Sequence, residues 1–255
     1  MSKKQNKTNN VLLSFVVILL IGLLVFSTIK VIKYIVDNKE NEKIEEEISD
    51  LVEYVEETTN NEDQEDNNNK YNIDFDTLKT KNSDTVGYLK VNGTDIENVV
   101  VKGKDNSYYL KHNFSKEYNV AGWIFADYHN KLDGADRNII IYGHNMRNNT
   151  MFGTLKNVLN EEWKDVEENR FITFITEEES YIYEVFSVYQ IEAEDYYMKT
   201  YFKNNQEFLK FANTLKSRSK YNFDVDIKEE DSILTLSTCA NNSKYRIILH
   251  SIRVK

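Results

Sequence analysis

Two strand-like segments near the C-terminus carry a cysteine and an arginine at matched positions. Residues 232–239 and 246–250 are rich in β-branched and apolar residues, and residues 240–245 between them are mostly turn formers. If the segments pair as an antiparallel hairpin, Cys239 lies across from Arg246, with Cβ atoms roughly 4.5–5.5 Å apart. A neighbouring cation favours the thiolate, and its donors can hold an oxyanion. The pattern therefore indicates a reactive thiol at the rim of a sheet.

A histidine at another strand end completes the groups that acyl transfer needs. His144 follows the apolar run 138–143, whose last residue, Gly143, permits a sharp exit of the chain. Cys239, His144 and Arg246 at three strand ends could assemble a thiol-based acyl-transfer site. Residue types alone leave the alternatives open, because a lone cysteine is more often a small buried hydrophobe and a given histidine a core or surface residue.

The other three histidines predict no further site. His250 alternates with Arg246 along its segment, so it shares that face but lies about four residues further along the strand. His112 and His129 lie in loops rich in Asn and Lys. No pair has the spacing of metal ligands, and one cysteine cannot form a cysteine-cluster zinc site, so we expect neither a metal nor another cofactor.

The elements that position these residues are mostly strands, which predicts a mainly β fold closed as a barrel or stacked as a sandwich. Eight segments have strand composition: 85–91, 97–101, 121–126, 138–142, 170–175, 181–190, 232–238 and 246–254. Helical patterns cover 148–158 and, with an apolar face, 197–221. The second of these helices would be inserted just before the cysteine strand.

The N-terminal part of the chain predicts a membrane anchor and a spacer. Residues 11–29 form an apolar run long enough to cross about 30 Å of hydrocarbon, with no clear cleavage site after it. We therefore expect residues 1–10 in the cytoplasm, a transmembrane signal anchor at 11–36, and the rest of the chain outside. The spacing of apolar residues at 39–57 predicts an acidic helix with one apolar stripe. Residues 58–70 contain no apolar residue and are predicted to form a solvated linker. Residues 37–70 then form a spacer, and 71–255 one compact domain.

Charge is concentrated in that spacer. The chain has a net charge of −10, and residues 39–68 hold 13 acidic residues against Lys39 and Lys43. No concentrated basic face is visible elsewhere, so nucleic acid is not expected as a partner. The acidic helix could pack on the compact domain or on a second copy of the chain, and the sequence does not decide between them.

Five motifs resemble the sortases, the cysteine transpeptidases of Gram-positive cell surfaces. Residues 235–239 (TLSTC) are similar to the TLxTC signature of that family, 141–146 to its histidine segment and 246–250 to its arginine strand. Residues 122–127 and 105–110 also match and point to class B. The resemblance runs in the family order from about residue 73 to 255, and it implies a closed eight-stranded β-barrel.

The resemblance also implies a mechanism and its residues. Cys239 would attack the Thr carbonyl of a sorting signal in a secreted protein, Arg246 would hold the oxyanion, and His144 would transfer protons. An amine of a cell-wall peptide or peptidoglycan precursor would then resolve the thioester. The family further implies that the peptide groove is lined by Asn106, Leu110, Ser237 and Tyr197. The N-terminal helix would contact membrane lipid.

Two other functions remain open at this point. A cell-wall cysteine hydrolase would cut peptides without joining them, although its cysteine usually opens a helix, whereas Cys239 closes a strand segment. A non-catalytic surface scaffold with a sortase-like fold would lack one of the three reactive residues, and all three are present. For Asp127 we expect a structural role in its turn in preference to that of a third partner for His144.

Overall fold

The computed structural model describes residues 2–54, 71–239 and 244–255. It divides into two compact units, Met1–Lys43 and Ile44–Lys255. The predicted linker (58–70) and residues 240–243 of the predicted turn lie outside the described residues. The second unit has the predicted mainly β class.

The first unit is helical. Helix α1 runs without interruption over Ser2–Ser49, and by length and composition its apolar part can cross a membrane. The predicted separate helix at 39–57 is therefore wrong in its bounds, since α1 continues from the N-terminus and ends at Ser49.

In the second unit, strand β1 (Val52–Tyr54) pairs antiparallel with β2 (Tyr71–Ile73). This long-range pairing overrides the helical periodicity of the sequence at residues 52–54.

Eight strands close the predicted barrel, in the order β10-β8-β7-β3-β4-β5-β6-β9. Their bounds are β3 Thr85–Val91, β4 Glu97–Val101, β5 Phe125–Ala126, β6 Asn138–His144, β7 Phe171–Ile175, β8 Ser180–Glu192, β9 Ile233–Cys239 and β10 Tyr245–Arg253. The pairs β4–β5 and β6–β9 are parallel, and the other pairs are antiparallel. Closure decides between the two predicted architectures in favour of the barrel.

The helices of the second unit are shorter than the sequence indicated. They are α2 (Phe75–Lys81), α3 (Glu161–Lys164) and α4 (Asn205–Ser217), with 3-10 helices at Tyr108–Leu110, Gly153–Leu159 and Glu167–Arg170. The predicted helix at 148–158 is thus a later 3-10 helix. The predicted helix at 197–221 is only α4, which does lie between β8 and β9. It starts where the Asn204 side chain accepts a hydrogen bond from the Glu207 amide, an N-cap that ends the preceding extended chain.

One predicted strand is mostly lost. Of residues 121–126, only Phe125 and Ala126 form a strand. Gly122 has φ +58°, and a Cβ there would lie 2.3 Å from the carbonyl oxygen of Tyr109. The neighbouring Trp123 amide donates to that same oxygen at 3.0 Å. This stretch is therefore bonded to the 3-10 helix Tyr108–Leu110, which it holds in place.

The two strands that carry the site are covered on both faces. Every residue of β6 is buried, and so are residues 233–238 of β9. Near-continuous apolar runs are typical of parallel pairs buried on both sides, which explains why both segments lack strict alternation. Their C-terminal ends, at His144 and Cys239, are consequently held on a rigid part of the barrel.

Candidate active site

The parallel ladder between β6 and β9 pairs His144 with Cys239. It begins at Asn138 with Ile233 and keeps one register through seven pairs to this last one. Because both strands run in the same direction, both end at the same edge of the sheet. The two residues that the sequence analysis selected are thus neighbours in the fold, although far apart in the chain.

Strand β10 brings the arginine to the same edge. Its antiparallel ladder with β9 begins with Ile248 opposite Ser237, two residues short of the predicted pair of Arg246 and Cys239. The amide of Ile247 donates to the hydroxyl of Thr238 at 2.9 Å, so the strands remain tied beyond the ladder. Continued by two residues in the same register, the ladder would place Arg246 opposite Cys239, as predicted.

A cavity of about 410 Å³ opens at this edge. Volumes of this size are typical of ligand sites. Its described lining residues are Asn106, Leu110, Lys111, Tyr118, Val120, Phe125, Tyr142, His144, Met198 and Arg246. None of these is acidic, and Lys111 and Arg246 are basic, so the cavity is cationic in a chain whose net charge is −10. A ligand with electronegative oxygen atoms suits such a lining.

The hydrogen bond of His144 defines its tautomer. Its Nε2 lies 2.7 Å from the carbonyl oxygen of Leu110, which can only accept, so Nε2 carries the proton. Its Nδ1 is buried and has no hydrogen-bond partner among the described residues. Burial lowers the pKa of His144 below its ordinary value of 6.5, and the bond to Leu110 opposes this shift only in part. The neutral ring therefore has one unoccupied acceptor, Nδ1.

Gly143 acts by close packing and not by turning the chain, as the sequence analysis had expected. It lies within β6, and a Cβ on it would meet the ring of Phe152 at 2.6 Å. The amide of Phe152 also donates to the carbonyl oxygen of His144 at 3.0 Å. Phe152, which is completely buried, thus packs directly against the strand end that carries His144.

The guanidinium of Arg246 has a buried donor without a partner among the described residues. Arg246 is half-buried, and this donor is its Nε. An unpaired N–H of a guanidinium is costly to bury, and an oxygen atom of a ligand in the cavity would satisfy it. Its position in the lining makes Arg246 able to stabilise negative charge there.

The four residues predicted to line a peptide groove divide into two pairs. Asn106 and Leu110 do line the cavity. Ser237 and Tyr197 are completely buried, do not line it, and lie with their hydroxyl oxygens 2.9 Å apart. Tyr197 also lies before α4, not on it, which corrects the predicted position. This geometry favours an internal support of β9 for Ser237 and Tyr197 over direct contact with a ligand.

His250 belongs to a buried chain of hydrogen bonds beneath β9. Thr235 donates to Asn138 Oδ1 at 2.7 Å, so its oxygen accepts from Nδ1 of His250 at 2.9 Å. Nε2 of His250 then accepts from the hydroxyl of Tyr189 at 2.8 Å, and Tyr196 donates to Tyr189. Complete burial lowers the pKa of His250 to about 3. The ring is therefore neutral and fully paired, in line with its interpretation as a structural histidine.

Several residues at the cavity were missed by the sequence analysis. Lys111, Tyr118 and Met198 lie in segments without a motif, and no periodicity indicated their convergence. The contribution of Leu110 to His144 is a backbone carbonyl, which has no signature in residue type. The convergence arises from tertiary contacts between the 3-10 helix Tyr108–Leu110, the loop that follows it and the segment before α4.

Comparison with known proteins agrees with these features. The Sortase domain family matches residues 89–254. A Staphylococcus aureus protein named Sortase B is 37% identical over 165 residues, which is 65% of this chain and 67% of the relative. A Listeria monocytogenes Sortase B is 31% identical over 228 residues, 89% of each chain.

A solved structure shares the fold. The S. aureus sortase B–substrate complex has a TM-score of 0.67 and 35% identity, covering 71% of this chain and 84% of that one. The family match includes the C-terminal ends of β6 and β9 and the start of β10, which carry His144, Cys239 and Arg246. The chain therefore belongs to the sortase family of cysteine transpeptidases, in its class B.

Proposed function

We propose that this sortase is a membrane-anchored transpeptidase that cleaves the C-terminal sorting signal of secreted proteins after Thr and joins them to an amine of a cell-wall peptide or peptidoglycan precursor. The observation that carries the proposal is the pairing of His144 with Cys239 at the edge of a cavity that Arg246 also lines. The S. aureus sortase B structure is a complex with its substrate, and we expect the sorting-signal peptide to occupy the cavity here.

The proposed chemistry has two steps. The thiolate of Cys239 attacks the Thr carbonyl carbon, and Arg246 donates hydrogen bonds to the oxyanion that forms. Nδ1 of His144 takes the proton of the Cys239 thiol as the thiolate forms and gives it to the amide nitrogen that leaves, and a thioester remains. An acceptor amine then attacks the thioester carbon and loses a proton to His144, and the thiolate departs. The bare Nδ1 of the neutral ring is the atom that suits this exchange.

The hydrolase and scaffold alternatives differ from this proposal in their products. Full-length protein in detergent micelles is incubated with NPxTN-, PPxTG- and LPxTG-type peptides, with and without an amine, and followed by intact-mass spectrometry. We expect a peptide adduct on Cys239 that the amine discharges as a joined product. The Cys239→Ala variant is the matched control. Cleavage without transfer would indicate a hydrolase, and no adduct with any peptide would indicate a scaffold.

The membrane part of the proposal rests on α1, whose large apolar residues from Leu12 to Val36 are exposed. Lys33, beyond the apolar run 11–29, lies 3.8 Å from Asp37. A lysine on this side opposes the proposed orientation, because orientation follows Lys and Arg while Asp and Glu contribute little. Because the chain has one cysteine, a membrane-impermeant maleimide tests the topology without engineering. Labelling of Cys239 in intact protoplasts is expected, and labelling only after lysis would reverse the orientation.

A further inference from the structure

Asp127 carries a buried carboxylate directly behind the wall of the cavity. Its side chain is 4% exposed. Its Oδ2 accepts from Asn106 Nδ2 at 2.7 Å and from the Tyr142 hydroxyl at 2.9 Å. Its Oδ1 accepts from the amide of His129 at 2.9 Å and lies 2.8 Å from that residue's Nδ1. Two of these four contacts, those of Asn106 and Tyr142, go to residues that line the cavity.

These contacts leave Asp127 no role as a partner of His144. Each carboxylate oxygen already has two contacts, and the hydrogen bond of His144 goes to Leu110 instead. What Asp127 does control is the orientation of a neighbouring amide, because a carboxylate accepts hydrogen bonds and cannot donate them.

The amide of Asn106 is fixed at both ends. Its Nδ2 donates to Asp127, and its Oδ1 accepts from the amide of Tyr128 at 3.0 Å. A flipped amide would set oxygen against oxygen at Asp127 and N–H against N–H at Tyr128, so only one orientation satisfies both partners. One hydrogen of Nδ2 is then used, and the second has no acceptor among the described residues. Asn106 therefore presents a hydrogen-bond donor at the cavity wall.

We propose that Asp127 is a positioning residue that determines specificity: through Asn106 it requires a carbonyl or carboxamide oxygen at the facing position of the peptide. This inference rests on the proposed function, since it concerns the peptide that the transpeptidase binds. A peptide that offers a cation or an N–H at that position leaves the Asn106 donor unpaired, and an unsatisfied buried donor costs more than a hydrogen bond contributes.

The first test is a double-mutant cycle between Asp127→Asn and Asn106→Ala, using a peptide that the wild-type protein joins to an amine. The Asp127→Asn substitution leaves only one acceptor oxygen for the four donors that surround the Asp127 carboxylate. The orientation of Asn106 is therefore lost. We expect each single variant to raise KM about tenfold, with a small effect on kcat. The double variant should be no worse than Asn106→Ala by more than about twofold, because Asp127 acts through Asn106.

Two further measurements separate positioning from general damage. The rate of Cys239 alkylation by iodoacetamide, which does not occupy a peptide groove, should stay at the wild-type value in Asp127→Asn. The variant His129→Ala, which removes a contact to the opposite oxygen, should leave KM within about twofold of wild type. Should Asp127→Asn not fold, Asn106→Ala removes the donor without adding a charge beside Asp127, and should raise KM about tenfold by itself.

Three results would overturn the inference. Additive losses in the cycle would mean that Asp127 does not act through Asn106. A fall in kcat and in alkylation rate at constant KM would mean that it acts on Cys239 or His144. An unchanged KM in Asn106→Ala would mean that the peptide does not use the donor. A wild-type protein that joins no peptide would instead overturn the proposed function, so the two failures are distinguishable.

Discussion

The backbone carbonyl of Leu110 fixes the imidazole of His144 through a hydrogen bond of 2.7 Å. This carbonyl belongs to the 3-10 helix Tyr108–Leu110, which is itself held by the close approach of Gly122 and by the amide of Trp123. The orientation of His144 thus depends on Gly122 and Trp123, which do not line the cavity.

Gly122→Ala should therefore damage the reaction more than the fold. The new Cβ would lie 2.3 Å from the Tyr109 carbonyl oxygen at φ +58°, which displaces the Leu110 carbonyl from His144. We expect kcat/KM to fall more than about tenfold, and the free energy of unfolding to fall by about 1–3 kcal/mol. Gly134→Ala is the control, because its φ of +78° carries similar strain while its Cβ would meet only the Tyr181 hydroxyl, at 3.5 Å. Equal losses of activity in the two variants would contradict this account.

The pH dependence of transfer should reflect the lowered pKa of His144. The proposed active form has a Cys239 thiolate and a protonated His144, so kcat/KM should be bell-shaped. The lower of the two pKa values sets the acid limb, and this is the histidine pKa when the thiol pKa lies above it. We therefore expect the acid limb below pH 6.5, because burial lowers the pKa of His144 from that value. The measurement is kcat/KM from pH 4 to about 10 with one peptide and one amine. An acid limb above pH 6.5 would mean that the site raises this pKa.

Arg246→Lys should lower kcat although it keeps the charge. The lysine has no Nε–H and no planar fork, and the Nε of Arg246 is the donor left without a partner among the described residues. Loss of an oxyanion donor typically costs about 10²–10³ in kcat. Arg253→Lys, on the same strand but against Tyr181, is the matched control and should keep wild-type activity. If Arg246→Lys instead raised only KM, Arg246 would align the peptide and not stabilise the oxyanion.

Acid should destabilise the protein partly through His250. Its pKa is lowered from 6.5 to about 3, so the unfolded chain takes up a proton in this range that the folded chain refuses. The contribution to stability is complete above pH 6.5 and is lost as the pH falls toward about 3. Urea unfolding at several pH values should give a curve whose slope is up to about 1.4 kcal/mol per pH unit steeper than that of His250→Gln. Parallel curves for the two proteins would show that His250 takes up its proton in the folded protein over the same pH range as in the unfolded chain.

Strands that pair locally could be predicted from the sequence, and those fixed by distant contacts could not. The bounds of β3 and β4 agree residue for residue with the predicted segments, because only residues 92–96 separate them and their turn begins at Asn92 and Gly93, where Gly93 has φ +69°. Residues 121–124 have strand composition too, but they bond to Tyr109 and to Val101 outside a regular ladder. Tertiary contacts decide their structure, and composition does not report such contacts.

The sequence contains an N-capping signal at the start of α4. Asn204 and Glu207 have the spacing of an N-cap and its third helical residue, which predicts a helix beginning at 205 and not at 197. At the site, motifs selected the residues at the strand ends, and the structure brings His144 and Cys239 together. Burial of Ser237 could not be inferred in this way, because residues on both faces of β9 are buried and alternation carries no information there. Tyr197 lies in the irregular segment before α4, which has no period from which burial could be predicted.

The parallel pairing of β6 with β9 has a consequence for the timing of assembly. The segment that contains residue 144 is synthesised long before residue 239, and no tight turn can join two parallel strands. Such distant pairing is among the slow steps of folding. A nascent chain that has exposed His144 and the walls of the cavity therefore has no functional thiol beside them. Chain order therefore makes the thiol one of the last groups of the site to be added during synthesis.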